Sequence, residues 1–274
     1  MQAIKKTTRR PGRPIAGPDG QNDIREKILD AAEQMFGSYG WTATSFRDIA
    51  TDVGINPAMI TYYFRTKKNL IETVFKRRAT QIADRWLQLL DALESRPKRP
   101  PTVYELMYSY LSVEFDMQKS GAAGEAFVKL QARIHNEIDD FCFRLRREVY
   151  DVATQRYIAA FERALPEIDP VDINWRIVFV IGGFLYMLAG GARLEDLSGG
   201  LCKIDDIDEV TARATSFMVG GMSAASTQYS HPHPKTTQPK AAKVKVATTN
   251  GELGRSPKAG KTLARKRTQR NQKG

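Results

Sequence analysis

Residues 45–70 read SFRDIATDVGINPAMITYYFRTKKNL, and their reading decides the fold. Ser45 and Asp48 stand at the spacing of a capping box and open a short helix. Asn56 followed by Pro57 opens a second, with an N-cap residue and then proline at the first helical position. Thr66 caps a third, which runs through Leu70, Val74, Ile82 and Leu89 toward a break at Arg96-Pro97. Gly54 lies between the first two, where a three-to-four-residue turn requires positive φ. Ala50, Gly54 and Ile60 together hold the spacing of a helix-turn-helix. A small residue at 50 lets the two helices approach and Ile60 plugs the joint. Ile49, Val53, Ile55 and Phe64 fill the same small core.

That assignment leaves Pro57, Ala58, Met59, Thr61, Tyr62 and Tyr63 outward on the second of these helices. Small residues at its start permit close approach to base edges in a major groove. Threonine and tyrosine hydroxyls suit phosphate oxygens. Two adjacent exposed tyrosines are poorly explained as core. Lys67 and Lys68 begin the next helix, where acids would complement the macrodipole. A lysine pair alone is as well explained by solvation. Beside the tyrosines and the turn, a DNA phosphate completing the site is the stronger explanation.

The stretch 40–70, GWTATSFRDIATDVGINPAMITYYFRTKKNL, resembles the TetR-family DNA-binding domain. That pattern runs G-x-x-x-T-S/T-hydrophobic-x-x-I-A, then G-V, then Y-Y-x-F-x-S/T-K-x-x-L, and the resemblance covers about residues 23–75. Thr61 stands where the first of the family's paired tyrosines is common, Tyr62 keeps the second, and Tyr63 stands where histidine is frequent. The resemblance implies base or phosphate contact by Arg47 and phosphate contact by Lys67. It also implies a homodimer and a small-molecule effector bound in the C-terminal body. The segment 165–190, LPEIDPVDINWRIVFVIGGFLYMLAG, is loosely similar to members that answer fatty-acyl compounds. The candidate DNA-contacting set is therefore Ser45, Arg47, Pro57, Ala58, Met59, Thr61, Tyr62, Tyr63 and Lys67, joined by Arg13 of the N-terminal arm.

Charge supports a polyanionic partner. Of the formal net charge of +11, residues 235–274 alone carry twelve Lys/Arg against one acid, and residues 1–20 carry five against one. The body between them is mildly acidic. Arg9-Arg10-Pro11-Gly12-Arg13-Pro14 partly resembles an AT-hook core, in which Arg enters a narrow A·T minor groove. A solubilising arm explains it equally well. The C-terminal run suits sequence-independent phosphate contact. An architectural DNA binder acting through these tails is thus the competing reading. Two cysteines and no apolar segment after the basic N-terminus point to a reduced cytoplasmic protein, nucleoid-associated when bound to DNA.

The rest reads as all-α: an arm over 1–21, a helix from Asp23 with Glu26 as its capping partner, and a DNA-binding domain over 22–80. A helical effector-binding and dimerisation domain follows over 81–226, then a Lys/Arg-rich tail over 227–274 that cannot offset its ordering entropy. The first helix carries Ile28, Ala31, Ala32, Met35, Phe36 and Tyr39 at helical spacing and ends at Gly40. In the body, helices are expected at 102–119, 123–137, 139–165, 171–194 and 207–225. Sixteen uncharged residues separate Arg176 from Arg193, short of the roughly 20 a membrane span needs, so a buried bundle helix is expected and no membrane partner. Val149, Val152, Ile158 and Phe161, with Ile177, Val178, Ile181 and Leu185, make apolar faces that could meet a two-fold mate or the chain's own core. Tyr104, Met107, Tyr108, Leu111 and Phe115 form an aromatic stripe of the kind most often found in cores. If a pocket exists, these residues with Phe127, Leu130 and Ile134 line it, for an apolar ligand. No glycine-rich phosphate loop, metal-spaced Cys/His set or nucleophile motif is present. No cofactor, metal or catalytic residue is expected, and His135 with its acidic neighbours belongs to a solvated helix face.

Overall fold

A computed structural model describes residues 18–97 and 99–226, so Arg13 and the tail from 227 lie outside the described residues. Ten α-helices and no strands are found among them. Helix α1 spans Pro18–Tyr39, α2 Phe46–Val53, α3 Pro57–Phe64, α4 Lys67–Glu94 and α5 Val103–Gln118. Then come α6 Ala122–Asn136, α7 Asp140–Ala164, α8 Pro170–Ala189, α9 Gly191–Leu197 and α10 Ile207–Met222.

Local chemistry sets most of the boundaries. The Ser45–Asp48 box closes in both directions, and a second box pairs Thr102 with Glu105 at the start of α5. Asn56, Thr66, Asp139, Asp169 and Asp206 each cap a first turn with a side-chain oxygen. Gly40, at φ 84°, stops α1.

Two expectations fail. The Asp23–Glu26 box does not form, because α1 already begins at Pro18, a residue suited to a first helical turn. Asp23 instead accepts from Lys27 at 2.7 Å, and Glu26 meets Arg25 and Arg77. The helix expected over 171–194 breaks at Gly190-Gly191, the pair of lowest helix preference in the segment.

Helix α4 ties the molecule together. It packs on α1, α5 and α7, and its first half already meets α7 through Glu72 with Arg144, Lys76 with Glu148 and Phe75 against Tyr150. The expected boundary at residue 80 therefore falls inside one continuous helix. A buried acid on α1, Glu33, joins the two: Arg78 Nε donates to it at 2.7 Å and Arg77 Nη2 at 3.1 Å. Arg77 also donates to Asp30 at 2.8 Å. Helix α1 packs closely on α6 as well, where Gly37 lies against the Ala126 backbone.

Helices α5, α6, α7, α8 and α10 form the body, with α10 on α5 and α8 on α6. Helix α8 is long and apolar enough to cross a membrane by composition, yet only one of its faces is buried. Ile173, Ile177, Val180, Phe184 and Leu188 enter the core, while Val171, Trp175, Val178, Phe179 and Tyr186 are exposed. The buried bundle helix expected from sequence is corrected to one buried along one face and exposed along the other.

Candidate nucleic-acid interface

The turn is built as its residues require. Gly54 sits at φ 73°, ψ 34°, and its N–H reaches the Ala50 and Thr51 carbonyls. A Cβ there would meet nothing within 4 Å, so glycine serves the backbone angle alone. Ile49, Ala50, Ile60 and Phe64 are buried, with Val53 and Ile55 partly buried against them. This is the small core read from the sequence. Helix α3 ends at Arg65, whose φ of 58° is the one positive value among described non-glycine residues; this strained corner launches α4.

The outward face of α3 consists of Pro57, Ala58, Thr61 and Tyr62, all exposed. Tyr62 is 74% exposed and meets Tyr63 edge-on at 5.3 Å between ring centroids. Two expectations change here. Met59 is half-buried, and Tyr63 packs partly against the core beside Phe64 rather than standing free. Helical geometry accounts for it, since Tyr63 lies three residues on from the buried Ile60. Thr61 Oγ1 points back to the Pro57 carbonyl at 3.5 Å, a weak bond that a better acceptor can displace.

Around that face, Arg47 is exposed and Ser45 is engaged in its cap, donating from Oγ to Asp48 Oδ2 at 2.7 Å. Those Ser45 hydrogen bonds hold the Asp48 carboxyl below the ordinary carboxylate value. Lys67 Nζ donates to the Thr42 carbonyl at 3.1 Å, which fixes the side chain between the α1–α2 connection and the start of α4. Partial burial lowers the Lys67 pKa, with the Asp48 charge opposing it. Lys68 turns the other way, its Nζ over the Phe141 ring at 5.3 Å. The lysine pair thus divides, and only Lys67 reaches the helix-turn-helix. Arg65, exposed at the strained corner after α3, was not anticipated; its only sequence signal was a basic residue between the helix end and Thr66.

The candidate pocket residues separate in the same way. Met107, Leu111, Phe115, Phe127, Leu130 and Ile134 are buried in side-chain packing, with Phe127 stacked on Phe75 at 6.0 Å. Tyr104 and Tyr108 are exposed and stack on each other instead. The most apolar of the cavities, about 810 Å³, lies elsewhere, between α8 and α10, where Met187, Leu201, Val210, Phe217 and Met218 line it.

A short capped helix, a glycine turn and a second helix presenting small and hydroxyl side chains define a helix-turn-helix DNA-binding protein. Comparison with known proteins agrees. Residues 28–74 match the family described as bacterial regulatory proteins, tetR family, and residues 109–221 match the tetracyclin repressor-like C-terminal domain. The HTH-type transcriptional repressor KstR2 of Mycolicibacterium smegmatis is 32% identical over 71 residues, 26% of this chain and 35% of that protein. The HTH-type transcriptional regulator BetI of Escherichia coli is 23% identical over 164 residues, 60% of this chain and 80% of that protein. A TetR-family regulatory protein from Rhodococcus RHA1 superposes with a TM-score of 0.55 at 15% identity, covering 74% of this chain and 98% of that one. The chain belongs to the TetR family. It is a DNA-binding transcriptional regulator and not an enzyme.

Proposed function

We propose that the protein is a homodimeric repressor that places two α3 helices in successive major grooves of a palindromic operator and lets go when a small molecule enters its body. The observation that carries this reading is the exposed face of α3, flanked by the positioned ammonium of Lys67. Pro57 and Ala58 approach base edges. Thr61, Tyr62, Lys67, Arg47 and the Arg65 corner meet phosphates, and half-buried Met59 and Tyr63 shape the edge of the contact. Ser45 contributes through its cap and Arg13 through the arm.

Dimerisation is assigned to the uncovered face of α8. Trp175, Val178, Phe179 and Tyr186 stand exposed along it, and Phe217 of α10 is 82% exposed nearby across the apolar cavity. Two such faces related by a two-fold axis would form a four-helix contact. The division of labour is then DNA binding over 22–80 and effector binding with dimerisation over 81–226. Work on DNA places the protein in the cytoplasm, at the nucleoid when bound. A fatty-acyl effector, implied by the resemblance of 165–190, would have to keep its negative headgroup away from the buried carboxyl of Glu114.

The test is selection of bound sequences from random duplex DNA, using the whole protein and a Tyr62→Ala, Lys67→Ala double variant. A palindromic consensus is expected, lost in the variant, and the Lys67→Ala change alone should reduce the salt slope of binding by about one. The basic tails favour one other reading, a sequence-independent DNA binder. Enrichment of asymmetric A·T-rich DNA, unchanged in the variant and lost when 1–17 and 231–274 are removed, would establish that reading instead.

A further inference from the structure

The middle of the body contains a polar group that the fold does not use. Glu114 on α5 is fully buried, and its single hydrogen-bonding partner among the described residues is the Gln131 amide on α6, with Nε2 at 3.1 Å from both carboxyl oxygens. No lysine, arginine or histidine ion-pairs with it among the described residues. Buried charge without a cation is among the costliest arrangements a core can hold, and apolar replacements are usually neutral or stabilising. Two more oxygens in the same layer are orphaned: Gln131 Oε1, and the Tyr150 hydroxyl of α7, which lies within the electrostatic reach of Glu114. Glu114 thus receives only the Gln131 amide, while Gln131 Oε1 on α6 and the Tyr150 hydroxyl on α7 have no hydrogen-bond partner among the described residues.

Their surroundings are aromatic. The Tyr150 ring lies 5.6 Å from Trp86 of α4 and 5.9 Å from Phe75, and Trp86 in turn stacks on Tyr110 at 4.3 Å. Such rings favour a cation once water is excluded. A protonated amine brings a positive charge and up to three N–H donors, which matches three acceptors, and an apolar substituent suits the rings. A carboxylate ligand would be repelled, and an alcohol would satisfy one acceptor at most as a donor.

We propose that the effector is a protonated alkyl or arylalkyl amine, whose ammonium is received by Glu114, Gln131 Oε1 and the Tyr150 hydroxyl between α5, α6 and α7. This assignment rests on the reading above, in which the body takes a releasing ligand. The other titratable groups around the carboxyl do not compete for the role. Tyr110 and Tyr150 are held neutral by burial, and His135 of α6, which donates from Nδ1 to the Gln131 carbonyl and lies 5.8 Å from the Tyr150 ring, is pushed down to about 4 by burial. Burial raises Glu114 to about 8, so below that pH an arriving ammonium must displace one proton from it.

Isothermal titration of the whole dimer with n-hexylamine and 2-phenylethylamine tests the assignment, against n-hexanol and hexanoate as neutral and anionic counterparts. Amine affinity should rise about tenfold per pH unit from 6 toward 8 and then level, with one proton released per site below 8. Glu114→Gln, checked for folding by circular dichroism, should abolish the pH dependence and weaken amine binding at least tenfold. Binding of hexanol or hexanoate as tight as that of the amines, amine binding without proton release, absence of amine binding, or affinity unchanged in Glu114→Gln would each overturn it. Operator release is read separately by fluorescence anisotropy. Proton-linked amine binding that leaves operator DNA bound would sustain the site and refute ligand release. Release by hexanoate alone would do the reverse.

Discussion

Replacing Glu114 by glutamine should make the protein more stable in alkaline buffer, and the size of the gain can be worked from its surroundings. The carboxyl is buried without a cation, and burial raises it from 4.5 to about 8. In the unfolded chain it titrates near its ordinary value. Below that value both states hold the proton, and the contribution of the neutral, hydrogen-bonded group is fully present. As pH rises, the unfolded state ionises while the folded one keeps its proton, so stability falls until the folded group also ionises near 8. At 1.36 kcal/mol per pH unit the loss has a ceiling of about 5 kcal/mol between those limits. Relaxation and water entry in the folded state bring the expected value to about 3 kcal/mol. Glutamine keeps the shape and has nothing to titrate.

The assay is urea unfolding of both proteins at pH 5 and pH 9, at one protein concentration because dimers unfold with mass action. With m near 2–3 kcal/mol per molar urea, roughly that of a body this size, the variant's midpoint should move by about 1 M relative to the parent between the two pH values. His135 and the buried tyrosines titrate alike in both proteins and cancel in the difference. A gap that stays constant from pH 5 to 9 would show that Glu114 carries its charge comfortably in the fold, and would refute the view of it as an unpartnered acid.

Gly37→Ala should cost about 1–3 kcal/mol, since a Cβ there would collide with the Ala126 carbonyl and lie 2.9 Å from its Cα; thermal melting would fall by several degrees, and an unchanged melt would mean α1 and α6 are not in close contact. Glu33→Gln should destabilise by about 2–3 kcal/mol in urea, because Arg77 and Arg78 lose the buried anion between them, whereas a neutral result would show the pair adds nothing over its neutral replacement. Ellman's reagent should label one thiol quickly in the native protein, exposed Cys202, and the second only in denaturant; burial pushes the Cys142 thiol up to about 12 and encloses it, so two fast thiols would contradict the packing of α7.

The helix-turn-helix was legible in the sequence because its determinants are local. Ser45 with Asp48, Asn56 with Pro57, Thr66 and Gly54 each act within four residues of themselves, so their spacing carries the geometry. The same holds for helix ends in the body, which fall within about three residues of expectation except at Gly190. Which face of a helix is covered is a different matter, since it depends on neighbours distant in the chain. Tyr104 and Tyr108 share a stripe with Met107 and Leu111, yet the first two are exposed and the others buried, because α10 and α4 cover only part of α5. Tyr63 went the opposite way, drawn into the core by its step from Ile60. Glu114 escaped notice for the same reason. An acid between Val113 and Phe115, two residues from Asp116, looks like a solvated position until the fold places it fully inside.

The location of that acid bears on how the body could govern the head. Trp86, whose ring lies beside that of Tyr150, and Lys67, beside the helix-turn-helix, belong to the same uninterrupted α4, nineteen residues or about 28 Å apart. Gln131, which holds Glu114, belongs to α6, and α6 meets α1 where Gly37 leaves no room for a side chain. Two rigid routes thus leave the acceptor cluster, and they rejoin at the Glu33–Arg77–Arg78 clamp between α1 and α4. A ligand that spreads α5, α6 and α7 would shift both routes, and the clamp makes the helix-turn-helix follow as one piece. Coupling of this kind requires stiffness at the joints rather than a chain of special residues. Loosening Gly37 or Glu33 should therefore weaken the response to ligand more than it weakens binding of either ligand or DNA, and equal losses in all three would argue that the joints serve stability alone.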